Sequence, residues 1–485
     1  MQYILSFDGG TSGIKAVLAG TDGSIRGMAN AAYPLLRPQT GWAEQIPGEY
    51  WRAACEASRA AIAQAGAAPE EIIGVVFSTQ WKGMVPLDRD DNVLHNSIIW
   101  MDIRATEEAR ELSERLGRTC TARDYWPRVM WFKKHYPELY EKTVCILESN
   151  SYLKYRACGC KYIDVSNNFI HSPLASVQAY FDQVVAAAQL DSDKFPPFIS
   201  PTGIAGYVLP ESASALGVAA GTPVFGGLCD IPAVAVGAGA SCIGKSHIYL
   251  GTSGWIGITR TLDDHLPPVP MLLAEDRWIS QAGMSSACMT FDWALRTLYS
   301  WEWEHLGGEV YGFVEKELSA IPAGSDGVRA IPSLNGETGP FPSDLRGGFS
   351  GLRAVHTRAH MVNAMLEGIC QILRLRKAII ERDYGHPITS ANAVGGGAGS
   401  DHWMQMMANV LNIEVCVPEN ARYAGALGSA YCAMIGLGLC ADFDACARIV
   451  TVKKRFLPQP ETQAVYQEVW EDFRKNAGIP ADAGV

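Results

Sequence analysis

Two carboxylates stand where few charges are expected. Asp8 ends an apolar run in "ILSFDGGTSGIKAVLAG", and Asp230 interrupts another in "VFGGLCDIPAVAVGAGA". A carboxylate beside phosphate repels it unless a cation lies between. Mg²⁺ suits that place, since it binds one or two carboxylates, phosphate oxygens and water. Asp8 is therefore a candidate metal-facing residue, and a turn-forming Asp that bonds its own backbone is the plainer alternative. Asp230 precedes a small-residue apolar helix. As N-cap it would bond the first helical N–H groups, with Pro232 tolerated in the first turn. The helix dipole would also keep it ionised. An ionised Asp in an apolar crevice is what a hydroxyl nucleophile needs as proton acceptor.

Directly after Asp8 comes a Gly-Thr-Ser-Gly turn, and "SHIYLGTSGWIGITR" repeats that turn between another pair of apolar runs. Such a turn puts backbone N–H groups and two hydroxyls at the rim of a hairpin without side-chain bulk, where they can surround phosphate oxygens. Two copies, each opening a half of the chain, suggest two similar halves facing a polyphosphate. Tyr249 stands where the first copy has Asp8, and Leu250 where it has Gly9. One half supplies the metal-facing charge and the other only backbone donors. A third glycine cluster, "AVGGGAGSDHWMQMMANVL", reads as strand, turn and helix. Gly395, Gly396, Gly397 and Gly399 lack the order of the dinucleotide fingerprint. A tight turn and a close backbone approach to a flat ligand such as adenine both need absent side chains.

The elements that must position these residues alternate between strand and helix. Residues 3–7 and 14–18 read as paired strands, 48–65 as a helix, "IIGVVFSTQ" as a buried strand and "MVPLDRDDNVLHNSIIW" as a hairpin. Helical patterns cover 104–116 and 128–141. The second half restarts with a hairpin and continues with the long amphipathic "HTRAHMVNAMLEGICQILRLRKAIIER". Residues 325–352 read as a Gly/Pro-rich loop of a length that is more often functional than idle. The expected division is 1–240, 241–445 and a helical extension over 446–485.

A length of 485 residues exceeds one ordinary core, so two α/β domains are expected. The formal charge of −11 disfavours nucleic acid and anionic membrane, which need basic patches. The 13 cysteines are scattered, with no zinc spacing; Cys158 and Cys160 form the one close pair. Reduced thiols and the lack of a basic leader point to a cytoplasmic protein. Residues 223–244 imitate a membrane span, but Asp230 in their middle argues for a buried strand, turn and helix.

"FDGGTSGIKAVL", "GWAEQIPGEYW", "IIWMDIRA", "GLCDIPAVAVG", "LGTSG", "HMVNAMLEGICQIL", "VGGGAGSDHWMQMMANV" and "GALGSAYCA" together resemble the FGGY carbohydrate kinases, over nearly the whole chain and with a xylulokinase-like flavour. The resemblance implies two ribonuclease-H-like, actin-like ATPase domains with an interdomain cleft. It implies Asp230 as catalytic base and Asp8 facing Mg²⁺. Gly10, Thr11, Ser12, Gly13 and Lys15, with Gly251, Thr252 and Ser253, would contact the phosphates of ATP; Gly396, Gly397 and Ala398 would lie near adenosine. Gln80, Trp81, Lys82, Asp102, Arg104 and Asp230 would meet the sugar.

The chain departs from the family at Trp81-Lys82, where xylulokinases carry Met-His. It departs again at Ile231, often Asn in relatives, and in "NGETGPFPSDLRG", where the loop's usual arginine is displaced to Arg346 or lost. Trp81 could stack on a sugar face and Lys82 bond hydroxyls or a carboxylate; equally, Trp81 could cap the core and Lys82 face solvent. The implied activity is ATP-dependent phosphorylation of a sugar hydroxyl, with a ketopentose such as xylulose first. Another ketose, a polyol or a sugar acid is the alternative acceptor. A non-catalytic ATP-dependent switch that senses sugar is the rival from another class, and an acyl phosphotransferase a second enzyme rival. The apolar C-terminal half leaves room for a homodimer surface.

Overall fold

The computed structural model describes residues 1–167, 175–262, 271–337, 339–342 and 344–480. It divides into two compact units. The first comprises Met1–Cys242, Arg260–Ile279 and Tyr423–Ile449; the second comprises Ile243–Thr259, Ser280–Arg422 and Val450–Val485.

The first unit is built on strands β1 (Tyr3–Gly9), β2 (Gly13–Gly20), β3 (Ile25–Ala32), β4 (Ile72–Thr79), β5 (Ile204–Tyr207) and β6 (Pro223–Phe225). Their order in the sheet is β5-β6-β4-β1-β2-β3. β1 and β2 form the expected antiparallel hairpin, with Asp8 opposite Lys15 and Gly9 opposite Ile14. β1 also pairs parallel with β4, and β4 with β6. These central strands are buried on both faces, which is why they read as continuous apolar runs. One face carries the helix Pro47–Ala65, which packs on β2 and β3.

The helices Asp230–Gly237 and Ala424–Gly436 pack against each other in the first unit. Their composition allows it. A Cβ at Gly428 would sit 1.8 Å from the Ala233 carbonyl oxygen, and one at Gly237 would sit 1.8 Å from that of Ala424. The backbones touch where no side chain fits. Gly428→Ala must push the two helices apart, and overpacking of this kind costs on the order of 1–3 kcal/mol or more. Chemical denaturation should show that loss, and since Asp230 begins one of the two helices, activity should fall before the fold does.

The second unit repeats the core of the plan. Strands β7 (Ser246–Leu250) and β8 (Gly254–Thr261) form an antiparallel hairpin, with Tyr249 opposite Trp255. β7 then pairs parallel with β9 (Ser390–Val394), β9 with β10 (Glu414–Pro418), and β11 (Val452–Phe456) closes the edge antiparallel. A hairpin whose first strand runs parallel to the next one in is thus common to both units. That is the ribonuclease-H-like plan, twice.

Three local expectations differ from what forms. The helix over 128–141 is two helices, Tyr125–His135 and Pro137–Lys142, because Pro137 has no N–H to continue the ladder. "MVPLDRDDNVLHNSIIW" does fold back on itself, but through two isolated antiparallel bridges, Met84 with Ile98 and Leu87 with Val93, and not a continuous ladder; its strands also pair with Cys145–Leu147 and Glu44–Gln45. The loop over 325–352 contains a short two-stranded ladder, Arg329–Ile331 with Gly348–Ser350. No helix among the described residues is long and apolar enough to cross a membrane. The span-like stretch 223–244 is β6, a turn and the helix that begins at Asp230.

Candidate functional site

The first glycine turn is closed by Gly10 N–H donating to the Gly13 carbonyl at 2.9 Å. Thr11 is half-buried and Ser12 exposed at its tip. The turn is held from below. Gln45 Nε2 donates to the Thr11 carbonyl at 2.6 Å, and Trp100 Nε1 to the Thr11 hydroxyl at 3.2 Å. That hydroxyl in turn donates to Gln80 Oε1 at 3.2 Å. Gln80 is buried and also donates to Gln45 Oε1 at 2.5 Å, so its amide braces the turn.

The second turn exposes a different residue: Gly251 is half-buried, Thr252 exposed and Ser253 half-buried, so the open tip is the threonine and not the serine. Gly251 N–H donates to the Ser253 carbonyl at 3.0 Å, and the first N–H groups of the helix Cys288–Leu298 donate to the Gly251 and Thr252 carbonyls. The cross-strand pair beneath each turn differs. Under the first, Lys15 Nζ lies 3.2 Å from Asp8 Oδ2. Under the second, Tyr249 stacks on Trp255 at 4.1 Å between ring centroids. One scaffold position holds an ion pair in one unit and an aromatic pair in the other, so only the first unit offers charge next to its turn.

In the third glycine cluster β9 runs through a short 3₁₀ turn over Gly397–Gly399 into the helix Asp401–Leu411. Gly395 has φ +97° and packs against β7, where a Cβ would meet the Leu250 carbonyl oxygen at 2.4 Å. Gly397 is likewise filled in, by Leu250 and Trp403 at 2.8 Å. Gly396 has no such neighbour within 4 Å. Packing explains Gly395 and Gly397. It leaves Gly396 as bare, open backbone, and Ala398 is buried beside it.

Asp230 is the first residue of its helix, one place inside the expected N-cap, which is Cys229. Its Oδ1 accepts from the Ile231 N–H at 2.9 Å, and the Trp81 backbone N–H donates to the same carboxylate. Burial, and then the charge of Asp8, push its pKa up to about 7 against these hydrogen bonds. Side-chain surface remains open, so the carboxylate lies in a recess. The turn ahead of it is fixed by Cys229 N–H donating to Ser166 Oγ at 2.8 Å. Ser166 in turn bonds the buried Asp164, which Lys154 approaches at 3.6 Å.

Trp81 and Lys82 sit on a turn beside Asp230. Lys82 has φ +69°, unusual for a side-chain-bearing residue. That geometry is held by Glu148, whose Oε1 accepts the Lys82 backbone N–H at 2.6 Å. Glu148 is fully buried; burial first, and then Asp164 and Asp230, raise its pKa well above the usual carboxylate range. Neither it nor Asp124, the ion-pair partner of Lys82, stood out in the sequence, because each reaches the Trp81-Lys82 turn from an element more than forty residues away.

Asp102 and Arg104 are turned inward. Asp102 is fully buried and the Arg104 side chain is 1% exposed. Arg104 Nε and Nη2 grip the Asp102 carboxylate at 2.9 and 2.7 Å, and Nη2 also reaches Glu44 at 2.8 Å. The guanidinium lies 3.7 Å from the Trp42 ring centroid and 4.7 Å from that of Trp131. Asp102 also accepts the Ala43 N–H at 2.6 Å. The pair ties the "GWAEQ" segment to the strand carrying "IIW".

For Mg²⁺ the donor set can be tested. Among the described residues no cluster of three His, Cys, Asp or Glu side chains forms a protein cage. Asp8 and Asp230 are close enough for one charge to oppose the other. Two such carboxylates fit a cation that arrives carrying phosphate and water and do not fit a permanently held ion.

Two family descriptions cover most of the chain. The FGGY family of carbohydrate kinases, N-terminal domain, matches residues 3–237, and its C-terminal domain matches 247–437. The chain belongs to the FGGY family of carbohydrate kinases. Among curated relatives this FGGY kinase is 27% identical to xylulose kinase of Bacillus subtilis (strain 168), over 98% of its own length and 96% of the relative's. It is also 27% identical to L-xylulose/3-keto-L-gulonate kinase of Escherichia coli (strain K12), with 98% and 96% covered. Among solved structures, gluconate kinase and ligand-bound xylulose kinase of Lactobacillus acidophilus each superpose with a TM-score of 0.84 at 22% identity, over 100% of this chain and 99% of theirs. Those two likenesses bear on the fold of the FGGY kinase, which they share across both units.

Proposed function

We propose that the chain transfers the terminal phosphate of MgATP to a hydroxyl of an open-chain sugar, with Asp230 as proton acceptor. A ketopentose such as xylulose is the first acceptor to test, followed by other ketoses, polyols and sugar acids. One observation carries the reading: a partly open carboxylate at a helix start, held by two backbone N–H groups, beside a second carboxylate that precedes a phosphate-type turn. Asp230 orients the acceptor hydroxyl and takes its proton as the new P–O bond forms. Asp8 faces Mg²⁺, which when bound neutralises phosphate charge. Gly10, Thr11, Ser12, Gly13 and Lys15 offer backbone N–H groups, hydroxyls and a cation to phosphate oxygens. Gly251, Thr252 and Ser253 offer the same donors without the charge, and Gly396, Gly397 and Ala398 form the adenosine side.

Trp81 and Lys82 border the sugar. Gln80, Asp102 and Arg104 serve it indirectly, the first by bracing the turn and the other two by fixing the segments around it. The relatives' names support a sugar acceptor: xylulose kinase, L-xylulose/3-keto-L-gulonate kinase and the gluconokinase of Bacillus licheniformis. All 13 cysteines are free thiols, which suits a reducing cytoplasm.

ADP release with MgATP across a panel of ketoses, polyols and sugar acids tests the proposal; release that no acceptor stimulates would refute it. The raised pKa adds a pH prediction. Asp230 works only when ionised, so kcat/KM should fall below pH about 7, approaching tenfold per unit. Raising Mg²⁺ should move that limb to lower pH, because the cation cancels the Asp8 charge that opposes ionisation.

A further inference from the structure

The Trp81-Lys82 turn opens into a cavity of about 220 Å³ within the first unit. Trp81, Tyr125, Trp126 and Tyr180 give it aromatic walls, and Lys82, Arg118 and Asp124 supply its charge. Trp81 lines it, and the Trp81 backbone N–H also holds Asp230, so the cavity and the carboxylate share one turn.

The charges do not cancel. Lys82 Nζ lies 2.9 Å from Asp124 Oδ1 and 4.3 Å over the Trp81 ring. The other oxygen of Asp124 is taken by Thr121, whose N–H and hydroxyl donate at 2.7 and 3.0 Å. Burial works against ionisation of Asp124, yet Lys82 and Thr121 outweigh it and hold the carboxyl below its usual range. Its acceptor capacity is thus engaged by the protein. Arg118 lies 4.9 Å over the Tyr180 ring, and no carboxylate of the described residues forms an ion pair with it. Two cations against one anion leave a net charge of +1 on an aromatic-walled cavity.

We propose that the natural acceptor is a sugar acid: an open-chain polyhydroxy or keto acid whose carboxylate lies at the end remote from the phosphorylated hydroxyl. Arg118, aided by the free donors of Lys82, holds the carboxylate, and the carbon chain lies along Trp81 towards Asp230. This deepens the assignment of Asp230 as base and rests on it. A neutral ketose of equal length leaves Arg118 without an anionic partner and gains only the aromatic contact.

The test uses ADP release with MgATP on matched pairs: gluconate against glucitol, and keto-gulonates against fructose and sorbose, with both xylulose enantiomers added. Acids should exceed their neutral partners in kcat/KM by about tenfold or more, the scale of a charge-assisted hydrogen bond. Arg118→Gln should raise KM for the acid about tenfold with kcat held, and KM for neutral sugars less than about twofold. Arg118→Lys should recover most of the loss. Added salt should raise KM for acids alone. Neutral sugars that match or beat the acids, or Arg118→Gln raising both KM values alike, would overturn the inference and leave the kinase assignment standing. No ADP release with any acceptor would overturn the kinase assignment, and the inference with it.

Discussion

Asp230→Asn will lower kcat by on the order of 10²–10⁴ with the best acceptor, while nucleotide binding stays within a few-fold. The asparagine keeps the shape and can still accept from the Ile231 and Trp81 N–H groups, but it cannot take the hydroxyl proton. The same substitution carries a stability signature that a purely structural residue would lack. The carboxyl is raised to about 7 by burial and by Asp8. A raised carboxyl pKa costs stability as pH climbs from the ordinary carboxylate range through 7 and stays costly above it. Asp230→Asn should therefore raise the melting temperature of the ligand-free protein at pH 8; the gain should be clearly smaller at pH 5 and vanish only below about pH 4, where the carboxyl is protonated in the unfolded chain too. Thermal unfolding at pH 8 and pH 5 checks this. An equal change at both would mean that the charge of Asp230 is not the cause.

Asp8→Asn will have the second large effect: a fall in kcat of about 10²-fold or more that excess MgATP does not restore, with a steeply raised requirement for Mg²⁺. The side chain is 14% exposed and its partner Lys15 33%, so breaking the pair leaves Lys15 reachable by water and the fold little affected. Titrating Mg²⁺ at fixed ATP separates the two roles of Asp8. Loss of metal affinity marks Asp8 as metal-facing, whereas an unchanged Mg²⁺ dependence would reduce it to a partner for Lys15.

The parts of the site that could be read from the sequence are those that one short segment encodes. A strand, a Gly-Thr-Ser-Gly turn and a second strand are local, so both hairpins and the inequality of Asp8 and Tyr249 were visible as spelling. Asp230 was visible because a charge inside an apolar run needs a reason. Asp102 and Arg104 show the opposite case. "WMDIR" looks like a polar motif at a binding site, but its partners, Glu44, Trp42 and Trp131, come from distant segments and bury it. Glu148 was silent for the same reason: nothing in "CILESNSY" says that its carboxylate meets the Lys82 N–H. Arg118 carried no signal of its own in the sequence, and only the fold sets it over Tyr180 beside the Trp81 turn.

Phosphorus NMR of the protein with MgATP and each candidate acceptor is the most direct test that a sugar hydroxyl receives the phosphate. The account predicts one new phosphate monoester signal for every ADP formed, seen only when an acceptor is present and lost with Asp230→Asn. Inorganic phosphate as the sole new signal, at the same rate with and without sugar, would contradict it and mark the chain as a nucleotide-hydrolysing switch.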